Sequence, residues 1–125
     1  MHNLRSDAET NTLFMTFSGE VTVANLDRLE RTAVVAARVL ESEFRLVTNI
    51  SDCVDVTESA IERIKSVVGQ LTQFGLTREV RIVGDSTPDT VRQTFDRLET
   101  AHGLTVDTVR TDDESTLAKS EETTR

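Results

Sequence analysis

Tryptophan and tyrosine are missing from this sequence, and cysteine and proline occur once each in its 125 residues. The single thiol, Cys53, excludes an internal disulfide and every CxxC metal or redox motif. Five phenylalanines carry the aromatic content, so aliphatic side chains must fill the core. The five glycines form neither GxGxxG nor GxxxxGK(S/T) at a strand-to-helix turn. A phosphate cradle needs such glycines so that backbone N–H groups can approach the anion, and nucleotide binding is not expected. No GxSxG nucleophile elbow occurs either. Apolar runs stay far below the roughly 18 residues of a membrane span, and the start lacks a signal-peptide pattern. A cytoplasmic protein is expected, without integral membrane association.

Lysine is scarce as well: Lys65 and Lys119 are the only two among 14 basic residues. Against these stand 22 acidic residues, for a net charge of −8. A general binder of nucleic acid or of anionic membranes presents a basic surface, so this balance argues against both. Excess acid, little lysine and many threonines match the bias of a salt-adapted, halophilic protein. Such a chain repels itself, and concentrated salt relieves the repulsion by screening.

The length suggests one domain, 1–110, followed by an acidic tail, 111–125, whose only apolar pair is Leu117 and Ala118 and which has room for one helical turn. The stretch from Phe44 to Ala60, FRLVTNISDCVDVTESA, organises the rest. Leu46, Val47 and Ile50 read as a buried central strand, and Ser51-Asp52 as the turn that ends it. Asp55, Thr57 and Ser59 are each able to cap the next helix, and Asp55 has Glu58 three residues on, an acidic capping box. Ile61, Ile64, Val68 and Leu71 then recur at helical spacing until Gly75 stops the helix.

Upstream, residues 2–7 and 12–17 pattern as a hairpin across Ala8–Asn11, with Leu13, Met15 and Phe17 on one face. Thr22 is the expected cap of a first helix over about 23–42, with Leu26, Leu29, Ala33, Ala36 or Ala37, and Leu40 as its stripe. Downstream, residues 79–84 read as a strand, Thr87 as an N-cap with Pro88 at the first helical position, and Val91, Phe95 and Leu98 as a third stripe closed by Gly103. Residues 104–110 read as an edge strand. Strands alternating with helices over short connections imply an α/β fold with a largely parallel sheet.

Acids at the helix entries, Glu20, Asp52, Asp55 and Asp85, are too scattered for a phosphoacceptor or metal centre and read as caps. No metal and no cofactor is expected. Cys53 has no histidine near it in sequence, which favours a buried structural thiol over a nucleophile. No residue set in this chain has the makings of a catalytic site.

The pieces TLFMTFSGEVT, FRLVTNISDC and REVRIVGDS, in this order and spacing, resemble the STAS superfamily, the domain shared by anti-sigma-factor antagonists and sulfate transporters. They are most similar to its small STAS/SEC14-like group. The resemblance spans about residues 12–120. It implies a mixed sheet of four or five strands with helices mainly on one face. In the antagonists the turn before the second helix carries Asp-Ser-Ser-Gly, with a serine that a kinase phosphorylates. That motif falls on Thr57-Glu58-Ser59-Ala60, so Ser59 holds the serine position while the aspartate and the glycine are replaced.

The function that the resemblance implies is a non-catalytic regulatory module. It would bind a protein partner, one with a basic surface, through Asp52, Asp55, Thr57, Glu58 and Ser59, with Ser59 as the phosphorylation candidate. A homodimer is compatible with this reading. The alternative is a carrier or sensor of a lipid or other small apolar ligand, with a cavity lined by residues such as Phe14, Phe44, Phe74 and Phe95. The charge bias carries its own expectation. The melting temperature should climb between about 0.1 and 2 M KCl as screening relieves self-repulsion, and a flat KCl titration overturns the halophilic reading.

Overall fold

The computed structural model describes residues 2–102 and 104–110. Along the chain run β1 (His2–Asp7), β2 (Thr12–Phe17), β3 (Gly19–Val21), α1 (Leu29–Ala37), β4 (Phe44–Asn49), β5 (Cys53–Val56), α2 (Glu58–Gln73), β6 (Leu76–Val83), α3 (Asp89–His102) and β7 (Thr105–Arg110). The order β1-β2-β4-β6-β7 builds a five-stranded sheet, while β3 and β5 form a separate two-stranded one. β1 lies antiparallel to β2, and the remaining neighbours in the large sheet are parallel. This is the mixed α/β sheet expected from the sequence.

The parallel strands follow one another across the sheet without reversing direction. Strand–helix–strand crossovers are right-handed, so a one-way march places each crossover helix on the same face. The core agrees. Leu13, Met15, Phe17, Phe44 and Leu46 pack with Ile64 and other buried residues of the helices in one cluster. The opposite face has its own small cluster of Val47, Val80 and Ile82, joined by Phe14 and Val109, all from strands. Alternation along each strand divides the two sets.

α2 follows the expected stripe: Ile61, Ile64, Val67, Val68 and Leu71 are buried. Its end depends on Gly75, whose φ of +109° suits glycine and whose missing side chain makes room for Ser42, since a Cβ there would sit 2.9 Å from the Ser42 Cα. Val91 and Phe95 anchor α3 as expected. The side chain of Leu98, residue Gly103 and the tail 111–125 lie outside the described residues.

The first helix departs from the sequence expectation. Thr22 does not cap it. Its N–H donates to Oδ1 of Asn25, whose amide donates to the Glu20 carbonyl, and the chain makes a 3-10 turn at Ala24–Leu26 before α1 begins. The helix also stops early. The Glu41 N–H donates to Oδ1 of Asn11 at 2.8 Å and the Asn11 amide donates to the Glu41 carbonyl at 3.2 Å. A side chain from the β1–β2 turn thus takes the backbone groups that a longer helix would use. Thr87 is a second departure. Its hydroxyl accepts from the Gly84 N–H and donates towards the Ser51 and Ile50 carbonyls, while the Pro88 carbonyl accepts from the Val91 and Arg92 N–H groups of α3. β6 also begins three residues earlier than expected, at Leu76 rather than residue 79, extended by its pairing with Phe44 and Thr105.

A charged pair lies inside the helical layer. Glu79 and Arg81 are each 1% exposed, and Arg81 reaches both Glu79 oxygens at 3.4 Å and Asp96 of α3 at 2.9 Å. Paired this way, neither charge is left alone in the interior. Among the described residues no helix is long and apolar enough to cross a membrane. Because Ile64 has no exposed surface, Ile64→Ala should cost about 2–5 kcal/mol in urea denaturation. A loss under about 0.5 kcal/mol, typical of surface sites, would place it on the wrong face.

Candidate partner-binding turn

β4 ends in a closed turn. Oδ1 of Asn49 accepts from the N–H and the hydroxyl of Ser51, and the Cys53 N–H donates to the Ile50 carbonyl. The chain then enters β5 instead of a helix. β5 pairs in parallel with β3, bracketed by the Gly19 N–H donating to the Asp52 carbonyl at 2.9 Å and the Thr57 N–H donating to the Val21 carbonyl at 3.1 Å. Gly19 has a φ of +68°, the left-handed turn that lets the chain leave β2 and start this ribbon.

The ribbon sorts its side chains. Val21, Cys53 and Val56 are buried, while Glu20, Val54 and Asp55 face solvent, Val54 being 62% exposed. Register places Glu20 beside Asp55. Neighbouring strands lie about 4.8 Å apart, and like charges at such positions repel. Asp52, at the turn, adds a third exposed carboxylate.

The sequence-expected residues fare differently. Asp52, Asp55, Glu58 and Ser59 are exposed, and Thr57 is half-buried. Thr57 caps α2, its Oγ1 accepting from the Ala60 N–H at 3.1 Å. Asp55 is therefore not the cap, and the Asp55–Glu58 capping box does not form; β-pairing holds Asp55 extended two residues before the helix. Glu58 instead meets Arg97 of α3 through both oxygens, at 2.7 and 3.3 Å. The hydrogen bond and the charge of Arg97 hold the Glu58 carboxyl below its usual range. Asp85, at the end of β6, pairs with Arg110 at 2.8 Å. Glu20, Asp52 and Asp55 have no ion pair among the described residues. The Ser59 hydroxyl stands free in the first turn of α2, without a hydrogen bond among the described residues.

Glu20 and Val54 belong to this surface although neither was singled out as a site residue. GEV and CVDV are too short for a periodic signal, and only the Gly19 turn hints at a ribbon. The phenylalanines do not converge: Phe44 and Phe95 are in the core, Phe14 is on the opposite sheet face, and Phe74 is 41% exposed. Cys53 is buried, its thiol donating towards the Asp55 carbonyl at 3.6 Å, and desolvation pushes its pKa up to about 11. Among the described residues, no three His, Cys, Asp or Glu side chains are grouped to hold a metal ion.

No protein-family model matches this chain, and no curated protein matches it. Among solved structures it is similar to the anti-sigma factor antagonist SpoIIAA in its unphosphorylated form, with a TM-score of 0.64 over 97% of this chain and 98% of that one. The identity is 12%, so the likeness is one of fold. The chain has a STAS-like fold.

The Cys53 environment makes a chemical test available. With a pKa near 11, the thiolate at pH 8 is about a thousandth of the population. The folded protein should resist a disulfide reagent such as DTNB at pH 8 and react at once in urea. Rapid labelling of the native state would show that the thiol is accessible and activated.

Proposed function

We propose that this protein is a non-catalytic regulatory module that binds a protein partner through the ribbon and turn at the carboxyl end of its central strand. The observation that carries the reading is the ion-pair-free acidic lip, Glu20, Asp52 and Asp55, around the exposed Val54. Val54 offers a small apolar contact, and the carboxylates around it repel one another until a basic surface arrives. The likeness in fold to an anti-sigma factor antagonist supports a regulatory role over an enzymatic one.

Ser59 fits this reading as the modification site. Phosphate at the first turn of α2 would face the positive end of the helix dipole. Glu58, its neighbour, is already engaged by Arg97, which lowers the repulsion that an adjacent carboxylate would impose. Asp55 remains as a like charge. A phosphate would add to the negative lip and change its affinity for a basic partner.

The test is a charge reversal that spares the helix packing. Glu58 is left alone because it ties α2 to α3. Glu20→Lys with Asp55→Lys should abolish capture of the partner from cells of the source organism, with the melting temperature within about two degrees of the parent. Capture by the parent should also weaken as KCl is raised. An equal yield with the double variant would reduce these acids to solubilising surface.

A further inference from the structure

The described surface has a second feature, with the opposite charge preference. α1 carries apolar residues nearly all round: Ala33 and Ala37 face the core, Leu29 and Ala36 pack partly against it, and Val35 is 58% exposed, followed by Val39 at 62%. A groove of about 520 Å³ runs along this helix to Gln70 of α2, with Val34 and Val35 in its lining. Val35 and Val39, four residues apart, lie on one side of the helix.

The rim has a pattern. Arg31 and Arg38 both line the groove, seven residues apart and so on one side of the helix two turns from each other. Val34 and Val35 lie between them. Neither guanidinium has an ion pair or side-chain hydrogen bond among the described residues. The acids of the lining, Glu30 and Asp27, belong to its N-terminal end, where Gln70 donates to the Glu30 carboxylate at 2.7 Å. Asp27 sits at the far end, before the helix starts. Beyond these acids the lining is a valine pair between two arginines, in a protein whose net charge is −8.

We propose that this groove docks an acidic amphipathic helix of a partner protein. The partner's apolar side would cover Val34, Val35 and Val39, and its carboxylates would bond Arg31 and Arg38. An antiparallel arrangement suits the charges, because it brings the acid-rich first turn of the incoming helix to Arg38. The geometry is that of helix-in-groove recognition, with anchors at helical spacing. The arginine stems extend the apolar lining while their forks reach the partner. The groove and the acidic lip then select partners of opposite charge.

The probe is a fluorescein-labelled designed peptide of about 16 residues, long enough to form a helix, with leucines four apart flanked by glutamates, and its lysine-flanked counterpart. The glutamate peptide should bind in fluorescence anisotropy, the lysine peptide about tenfold or more weaker, and amide shifts of the labelled protein should map to residues 29–40 and Gln70. Arg31→Glu with Arg38→Glu should reverse the preference. If that variant melts early, Arg31→Ala with Arg38→Ala serves, and it should weaken the glutamate peptide alone. No preference between the peptides, or shifts confined to another face, overturns the proposal. So does a concentration-dependent dimer in light scattering that Val35→Glu abolishes, because the groove would then serve a second copy of this chain.

Discussion

The one-way march of the parallel strands β2, β4, β6 and β7 is the constraint from which the rest follows. Right-handed crossovers in one direction stack the helices on a single face and bring the strands' carboxyl ends out along one edge. A sheet that reversed its order would open a crevice at the switch point. Here the order does not reverse, so no switch-point crevice is built into the topology. Bonds between the turns tie the carboxyl edge together. The Thr87 hydroxyl reaches the carbonyls of Ser51 and Ile50, Gly19 bonds Asp52, and Thr57 bonds Val21. The turns after β2, β4 and β6 are thus held as one piece, and the β3–β5 ribbon is mounted on it.

Charge is distributed unevenly over this frame. Acids and arginines are matched at three places: Glu79 with Arg81 inside the helical layer, Glu58 with Arg97 between helices, Asp85 with Arg110 at the sheet edge. The exposed pairs add little stability individually, because water screens them. Their larger effect is on the pattern that remains. With those acids engaged, the lip retains Glu20, Asp52 and Asp55, and the α1 groove retains Arg31 and Arg38. An acidic lip and an arginine-edged groove on one protein are compatible with two partners at once. The proposed lip binding and the proposed groove binding are separable, because they share no residue.

Strength of signal explains what could be read in advance. TLFMTF alternates at period two, and the α2 stripe repeats over three turns with a glycine at its end. These long, consistent patterns gave the right elements and the right buried faces. The order of alternation gave a largely parallel sheet, and the family resemblance gave its mixed character with helices on one face. α1 was harder, because its stripe continues to Leu40 while the helix ends at Ala37. The agent of that ending is Asn11, about 30 positions away, whose side chain takes the backbone of Glu41.

Local pattern by itself determined which residues are apolar on one side, where glycines permit a left-handed turn, and the order in which the strands of the large sheet alternate with helices. Tertiary structure decided which of three possible caps starts α2, because pairing of β5 with β3 keeps Asp55 extended and leaves Thr57 at the helix entry. It decided which acids remain free, because Arg97 and Arg110 come from elements 39 and 25 residues away from their partners. It also placed Glu20 beside Asp55, which separation in the chain conceals. Periodicity reports only neighbours within a few residues, whereas pairing of carboxylates, caps and short ribbons depends on groups that meet after the chain has closed on itself.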